Sequence, residues 1–491
     1  MKSYELYYLA KRNLLPDAHI RQRKIGTLVA GARIHVSAVC GKAMASIACM
    51  LVDAGYMVTG SDFSFHPPMS DVLRDHHIDC RTPSIENLRD IDLFVPGNML
   101  PAHDEEVTYA RDKDIPMMSG SEVLAELLIS HKRSLVVAGT HGKTTSSSLL
   151  VHVFMTAQCD PAYLIGGVFQ HTGESYSVGG VHTTHAIFEG DEYDCAYFDK
   201  APKFLRYLPT SAIITSIEHD HVDLYPTFED YKQAFQFLVD DIPPGGHLVV
   251  HESVCAHVDI SKCAGNVYVY GVQRSNDLSY EITSVTNTGT IFSVHVQGEK
   301  YIDIEIPLFG EYNVANVSAV FALALFEGLD MVAIREGLKT YPGVRERQEI
   351  LGTTGKDVIV IRDFAHHPTA VSVTLQGLRQ HYPKKRLLCV FEPRSITSRR
   401  KAFESVYPEA LAHADLSIIV VPPFRPGDSK DNFIDISVVQ KNITAMGKVM
   451  YTAENPNQAL SVLSKQICEG DVVVFMSNGD FEHIPEKFLV A

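Results

Sequence analysis

The chain has no tryptophan, no CxxC pair among its nine cysteines, no excess of basic charge and no apolar run near the ~18 residues of a membrane span. Each lack excludes something. Thiols at 40, 49, 80, 159, 195, 255, 263, 389 and 468 are odd in number and widely spaced. They read as reduced cysteines of a cytoplasmic protein rather than a disulfide framework. Lys2, Glu5, Lys11, Arg12 and Asp17 break up the N-terminus, so a signal peptide is not expected. With 43 Lys+Arg against 59 Asp+Glu the formal net charge is −16, a field that repels nucleic-acid backbones. The runs Lys384-Lys385-Arg386 and Arg399-Arg400-Lys401 are short and read as solvated surface, so neither a nucleic-acid partner nor membrane insertion is expected.

What is present is ordinary globular material, 45% hydrophobic and 21% charged over 491 residues. At about 150 residues per domain this predicts roughly three domains. Short β-rich runs alternate with helix-length segments, the pattern of parallel sheets covered by helices. Three consecutive α/β units are expected, at 1–132, 133–341 and 342–491. The first opens Ile34–Val39, turns at Cys40-Gly41-Lys42-Ala43-Met44 and returns through Met57–Thr59 to Ser61-Asp62. That resembles a nucleotide-binding Rossmann entry, although GxGxxG is missing and plain helix–sheet packing accounts for it equally well. In the second unit, period-2 segments between about Val249 and Pro307 predict an added antiparallel region, giving a mixed sheet.

The strongest chemical signal is a buried strand, Leu135–Ala138, running into Gly139-Thr140-His141-Gly142-Lys143-Thr144-Thr145. Small residues there let backbone N–H groups face phosphate oxygens at a helix N-terminus. Lys143 supplies positive charge to the terminal phosphates and the Thr144 hydroxyl suits magnesium. As a charge aimed at phosphates rather than a packing element, Lys143 is expected to be removable without loss of the fold. Glu189, in Glu189-Gly190-Asp191-Glu192, ends another strand where a magnesium carboxylate belongs; Asp191 and Asp194 are equally well explained as a solvated loop. The next strand ends in Glu218-His219-Asp220-His221-Val222-Asp223, where His221 can join a second divalent site. These residues alone indicate an ATP-dependent enzyme with no reaction specified.

Together with Asn313-Val314-Ala315-Asn316, these motifs resemble the ATP-dependent Mur ligases of peptidoglycan synthesis, over nearly the whole chain. The resemblance implies a Rossmann-like UDP-sugar domain, a central P-loop ATPase domain and a Rossmann-like C-terminal domain that presents the amine. It also implies a reaction: the lactate carboxylate of UDP-N-acetylmuramate becomes an acyl phosphate, which an amine then displaces. By motif, Lys143, Glu189 and His221 are catalytic, and Thr144, Glu189 and His221 hold magnesium. Residues 139–145, Asn313, Asn316, Arg347 and Asp363 bind ATP. Cys40, Gly41, Lys42, Ala43, Met44, Ser61 and Asp62 bind the UDP-sugar. His366, Arg394 and Ser395 meet the amine. Buried amide bonding for the two asparagines and a surface ion pair for Arg394 are the plain alternatives. The stretches His66–Ser70, Glu192–Lys200, Asp363–Pro368, Glu392–Ser395 and Met476–Gly479 are similar to members whose amine is the recycled murein tripeptide L-alanyl-γ-D-glutamyl-meso-diaminopimelate; L-alanine is the alternative. Three positions depart from the family pattern: Gly190 for alanine, Tyr312 for histidine and Asp480 for glycine. A nucleotide-dependent switch protein is the rival from another class, but it leaves His66–Ser70 and Asp363–Pro368 unused.

Overall fold

The computed structural model describes residues 28–490 apart from 130, 223 and 425–427, so Asp223 and the charged N-terminal residues lie outside the described residues. The chain forms two compact units. The first takes in the described residues up to Gly166, Gly173–Val269 and Ala319–Gly337; the second takes in Gly167–Thr172, Tyr270–Ser318 and the described residues from Leu338 onward.

The first unit holds two parallel-type sheets and a small antiparallel hairpin at Asp194–Pro202. β1 (Arg33–Ser37), α1 (Lys42–Asp53), β2 (Met57–Ser61), β3 (Asp79–Arg81) and β4 (Leu93–Val95) form an all-parallel sheet in the order β3-β2-β1-β4. Next come β5 (Arg133–Ala138), α2 (Lys143–Thr156), β6 (Ala162–Leu164), β7 (Tyr176–Ser177), β8 (His185–Gly190), β9 (Ser211–Ile214), α3 (Phe228–Asp241) and β10 (His247–His251). These strands order as β10-β9-β5-β8-β6-β7, antiparallel only at β6–β7. Parallel strands covered on both faces need continuous apolar runs, and Leu135–Ala138 and Ala212–Ile214 are fully buried.

In the second unit β11 (Leu278–Val285), β12 (Thr290–Val296) and β13 (Glu299–Ile306) pair antiparallel, as the period-2 pattern predicts. Helix α4 (Glu311–Phe326) starts in this unit. β14 (Glu349–Thr353), β15 (Ile359–Asp363), α5 (Pro368–His381), β16 (Leu387–Glu392), β17 (Leu416–Val420), β18 (Val449–Ala453) and β19 (Val472–Ser477) complete it, in the order β14-β15-β19-β16-β17-β18. Side chains alternate across this sheet: Leu387, Cys389 and Phe391 join one core with Val472, Val474 and Met476, while Leu388 and Val390 join the other with Val473 and Phe475.

At the amino edge of the central sheet, Arg133, His185 and Ser211 start three adjacent strands and converge on Glu327. Arg133 Nε lies 2.7 Å from Glu327 Oε2, Ser211 Oγ donates to Oε1 at 2.5 Å and His185 Nε2 is 3.7 Å away. Burial works to raise the Glu327 pKa, but the neighbouring His185 ring, hydrogen bonds from Arg133 and Ser211 and the Arg133 charge outweigh it and bring it down to about 2 from 4.5. A depressed carboxylate stabilises the fold above its unfolded pKa, and that contribution is lost as pH falls from about 4.5 toward about 2. Glu327→Gln is therefore expected to cost about 2–3 kcal/mol near neutrality. In urea titrations the gap between the two proteins should close on acidification through that window; a gap constant with pH rules the linkage out.

Candidate functional site

In a parallel sheet, ligand loops leave from the carboxyl ends of the strands. In the central sheet these are the segments after β5, β8 and β9. Gly139 adopts φ 131°, and a Cβ there would fall 2.1 Å from Thr215 Oγ1, so only glycine lets the phosphate loop pass the β9 loop. Gly142 follows at φ 81° and α2 begins at Lys143 with no acidic residue in its first turn. An anion at this helix start meets free N–H groups and the positive end of the dipole. Thr140 Oγ1 donates to the Glu218 carbonyl at 3.1 Å and His141 Nε2 sits 3.0 Å from Glu218 Oε2, tying the loop to the β9 segment.

The structure brings Lys143, Thr144, Glu189, Asp191, Glu192 and His221 into one charged cluster. Lys143 Nζ donates to Glu192 Oε1 at 2.9 Å and to the carbonyls of Gly139 at 2.6 Å and Thr140 at 3.3 Å. Desolvation opposes its charge, but attraction from Glu192, Asp191 and Glu189 outweighs that and raises its pKa. Glu192 is fully buried; Tyr231 OH also donates to its Oε1 at 2.8 Å, and its Oε2 has no hydrogen-bond donor. Glu189 Oε1 accepts from Thr144 Oγ1 at 2.8 Å and Oε2 from the Gly166 N–H at 2.7 Å. Asp191 is half-buried, its side chain 34% exposed, and paired: burial works against its charge, yet Lys203 at 2.8 Å, Lys143 and His221 hold its pKa below the ordinary range. Asp194 pairs with Lys200 across the hairpin at 2.5 Å. His221 adopts φ 48° and packs edge-on against Tyr193, ring centroids 4.5 Å apart.

Hard oxygen donors and a buried, unfilled carboxylate oxygen are a donor set that fits magnesium, with Thr144 and Glu189 as its natural holders. Sequence reasoning passed over Glu192, Lys203 and Tyr231. The hairpin Asp194–Ala196 with Asp199–Pro202 folds Lys203 back on Asp191, and only recognition of that hairpin signals the pairing. Gly190 has a packing reason: a Cβ would lie 2.8 Å from Val136 Cγ1 and 3.0 Å from Phe204 Cβ.

At the carboxyl edge of the first sheet the Cys40 N–H donates to Asp62 Oδ2 at 3.0 Å, closing the turn on which Gly41, Lys42 and Ala43 are exposed. Met44 is buried in the core. Ser61 departs from its expected role: its side chain is fully buried and its hydroxyl donates to Glu106 Oε2 at 2.7 Å, with His35 Nε2 3.1 Å away. It braces the loop from beneath.

In the second unit Asn313 donates to the Phe309 carbonyl at 2.8 Å and to Gln348 Oε1 at 3.2 Å, and Asn316 lies 3.5 Å from Asn313 Oδ1. Asp363 accepts from the N–H groups of Gln348 and Ala365 at 2.8 and 2.7 Å; burial raises its pKa, which those bonds and Arg347 only partly offset. The Arg347 guanidinium stacks 4.4 Å over Phe364. His366 offers its carbonyl to Tyr407 OH at 2.7 Å, and Ser395 Oγ donates to Ser398 Oγ at 2.9 Å. Arg399 contradicts the solvated reading of its basic run. It is 4% exposed, with Nη1 2.6 Å from Asp428 Oδ2 and Nε donating to the Ser395 carbonyl at 3.2 Å. Arg399→Ala removes one partner of this buried pair, so a loss of about 3–5 kcal/mol is expected from chemical denaturation; a change under 1 kcal/mol would return Arg399 to the surface class.

Three family models match in order: "Mur ligase family, catalytic domain" over residues 33–132, "Mur ligase middle domain" over 137–324 and "Mur ligase, glutamate ligase domain" over 346–479. The UDP-N-acetylmuramate–L-alanine ligase of Desulfosudis oleivorans is 32% identical over 470 residues, 93% of this chain and 97% of that protein. Among solved structures, the UDP-N-acetylmuramate-alanine ligase of Thermotoga maritima superposes with a TM-score of 0.74 at 22% identity, covering 93% of this chain and 98% of that one. The murein peptide ligase of Psychrobacter arcticus gives 0.67 at 27% identity, covering 94% and 98%. The order of these matches and the length they span leave one conclusion: this chain belongs to the Mur ligase family and is an ATP-dependent enzyme that joins a carboxylic acid to an amino group.

Proposed function

We propose that the chain forms an amide on the lactyl carboxylate of UDP-N-acetylmuramate. The observation that carries this is the Lys143–Glu192 pair at the head of α2, beside Thr144 and Glu189, within a chain similar along 93% of its length to a UDP-N-acetylmuramate ligase. ATP supplies the phosphoryl group that turns a carboxylate oxygen into a leaving group, and magnesium supplies charge neutralisation. Lys143 and the α2 N-terminus hold the phosphates, Thr144 and Glu189 hold the metal, and His221 stands at the same cluster against Tyr193. The exposed Gly41–Ala43 turn with Asp62 takes the UDP end. Asn313 and Asn316 face the purine, Asp363 the ribose and Arg347 the phosphates. His366, Arg394 and Ser395 face the amine.

On the amine, the relatives favour L-alanine over the tripeptide that the sequence stretches suggest, because the curated protein matching at 32% identity carries the L-alanine name. The tripeptide stays as a second reading on a specific observation: the murein peptide ligase structure is 27% identical to this chain, against 22% for the alanine ligase structure. Incubation with ATP, magnesium, UDP-N-acetylmuramate and each amine in turn, with mass detection of the products, decides between them. No product with either amine sinks the proposal; phosphate release without any UDP-sugar would favour the switch reading.

A further inference from the structure

We propose that Glu106 is a positioning residue for the UDP-sugar, a buried carboxylate that does not meet the ligand but holds in shape the sheet edge that does. The inference rests on the reading above that the Gly41–Ala43 turn and Asp62 take the UDP end. The first sheet has two unlike faces. On one, Ile34, Val36, Val58 and Val95 share an apolar core with Ile47 and Leu51 of α1. On the other, the strand register sets Thr59, His35 and Phe94 side by side, and Phe94 packs with Val107 and Ala110 of the helix Glu105–Asp112. Glu106 belongs to that helix. It is 1% exposed, and His35 beside it is fully buried.

This one carboxylate draws together β1, β2 and the turn after β3. Ser61 Oγ, at the end of β2, donates to Oε2 at 2.7 Å, while the Ser84 N–H and Asn87 Nδ2 both donate to Oε1 at 3.0 Å. His35 Nε2 lies 3.6 Å from Oε1 and 3.1 Å from Ser61 Oγ, and its Nδ1 is 2.8 Å from Thr59 Oγ1. Burial works against the charge, yet the His35 ring, Asn87, Ser61 and the Ser84 N–H hold its pKa below the ordinary range. The apolar face shows that packing alone suffices to cover the sheet, and a buried ionised group stabilises a fold little better than a well-packed apolar one. What the carboxylate adds is direction. Ser61 is followed by Asp62, whose Oδ2 accepts from the Cys40 N–H at 3.0 Å and whose own N–H donates to the Arg81 carbonyl at 3.1 Å. Asn87 also donates to the Thr82 carbonyl at 2.9 Å. Glu106 thereby fixes the segments leaving β2 and β3 against each other, and through Asp62 it fixes the turn on which Gly41–Ala43 are exposed.

Titration calorimetry of the full chain with UDP-N-acetylmuramate, with magnesium and a non-hydrolysable ATP analogue present, tests this beside initial rates. Glu106→Gln keeps the Oε1 acceptor for Ser84 and Asn87 and puts an amide donor where Ser61 needs an acceptor. Ser61→Ala removes the same contact from the other side and, as the milder change, still decides the matter where Glu106→Gln does not fold. Each variant is expected to weaken UDP-N-acetylmuramate about tenfold, the worth of one hydrogen bond to a charged group, with kcat at saturating UDP-sugar and the KM for ATP unchanged. The double variant should lose no more than the worse single one, because both act on one contact. A merely structural role gives a different result: fewer binding sites and a lower kcat, with the affinity of the remaining sites as in wild type. That result, wild-type affinity in Ser61→Ala, or losses that multiply in the double variant overturns the positioning role and leaves the UDP-sugar reading standing. Failure of the wild-type chain to bind UDP-N-acetylmuramate sinks that reading, and the positioning role with it.

Discussion

Lys143→Ala is expected to abolish ligation, by roughly a thousandfold or more, and to destabilise the fold by about 3–5 kcal/mol. The first effect is the one the loop motif predicts. The second reverses the expectation that Lys143 can be removed harmlessly. Its ammonium is the counter-charge of Glu192, a fully buried carboxylate whose Oε2 already lacks a donor. Removing the lysine leaves that carboxylate buried and unpaired. Lys143→Met with Glu192→Gln removes both charges, so it should recover most of the lost stability and none of the activity. Denaturant midpoints and product formation measured on the single and double variants test both halves. A single variant as stable as wild type would mean that the pair does not form in the folded chain. A double variant that ligates would take Lys143 out of the mechanism.

Glu189→Gln is expected to lower turnover by roughly a hundred- to a thousandfold at low magnesium, with part of the loss recovered as magnesium rises. Its carboxylate is oriented from two sides, by the Thr144 hydroxyl and the Gly166 N–H, and a Cβ at Gly166 would come within 2.7 Å of Oε1. Glutamine keeps the shape and one acceptor but halves the oxygen donors and loses the charge, so metal affinity should fall more than the fold suffers. Turnover against magnesium concentration is the readout. A curve that coincides with wild type at every concentration removes Glu189 from the metal site.

Much of this was legible because it is local. Small residues at 139 and 142 signal a loop whose backbone must turn where side chains cannot follow, and the structure finds φ 131° and 81° there. Continuous apolar runs such as Val472–Phe475 signal strands buried on both faces, and the two cores of the C-terminal sheet take alternate residues from them. Ser61 and Arg399 were not legible in this way. Nothing in the dipeptide Ser61-Asp62 shows that one side chain points to a buried Glu106 while the other closes the loop, and nothing in Arg399-Arg400-Lys401 shows which basic residue will meet Asp428.

By itself the amino-acid sequence determined the fold class, the glycine loop at the head of a helix and the family, because each depends on residue types at fixed spacing along one strand–loop–helix unit. Only the tertiary structure decided how those charges are balanced. Lys143 with Glu192, Asp191 with Lys203 and Arg394 with Asp480 are separated by 49, 12 and 86 residues. Such partners meet through sheet order and hairpin closure, which no local pattern encodes, and in a low-dielectric interior it is the partner that sets whether a charge is stable, shifted or free to bind.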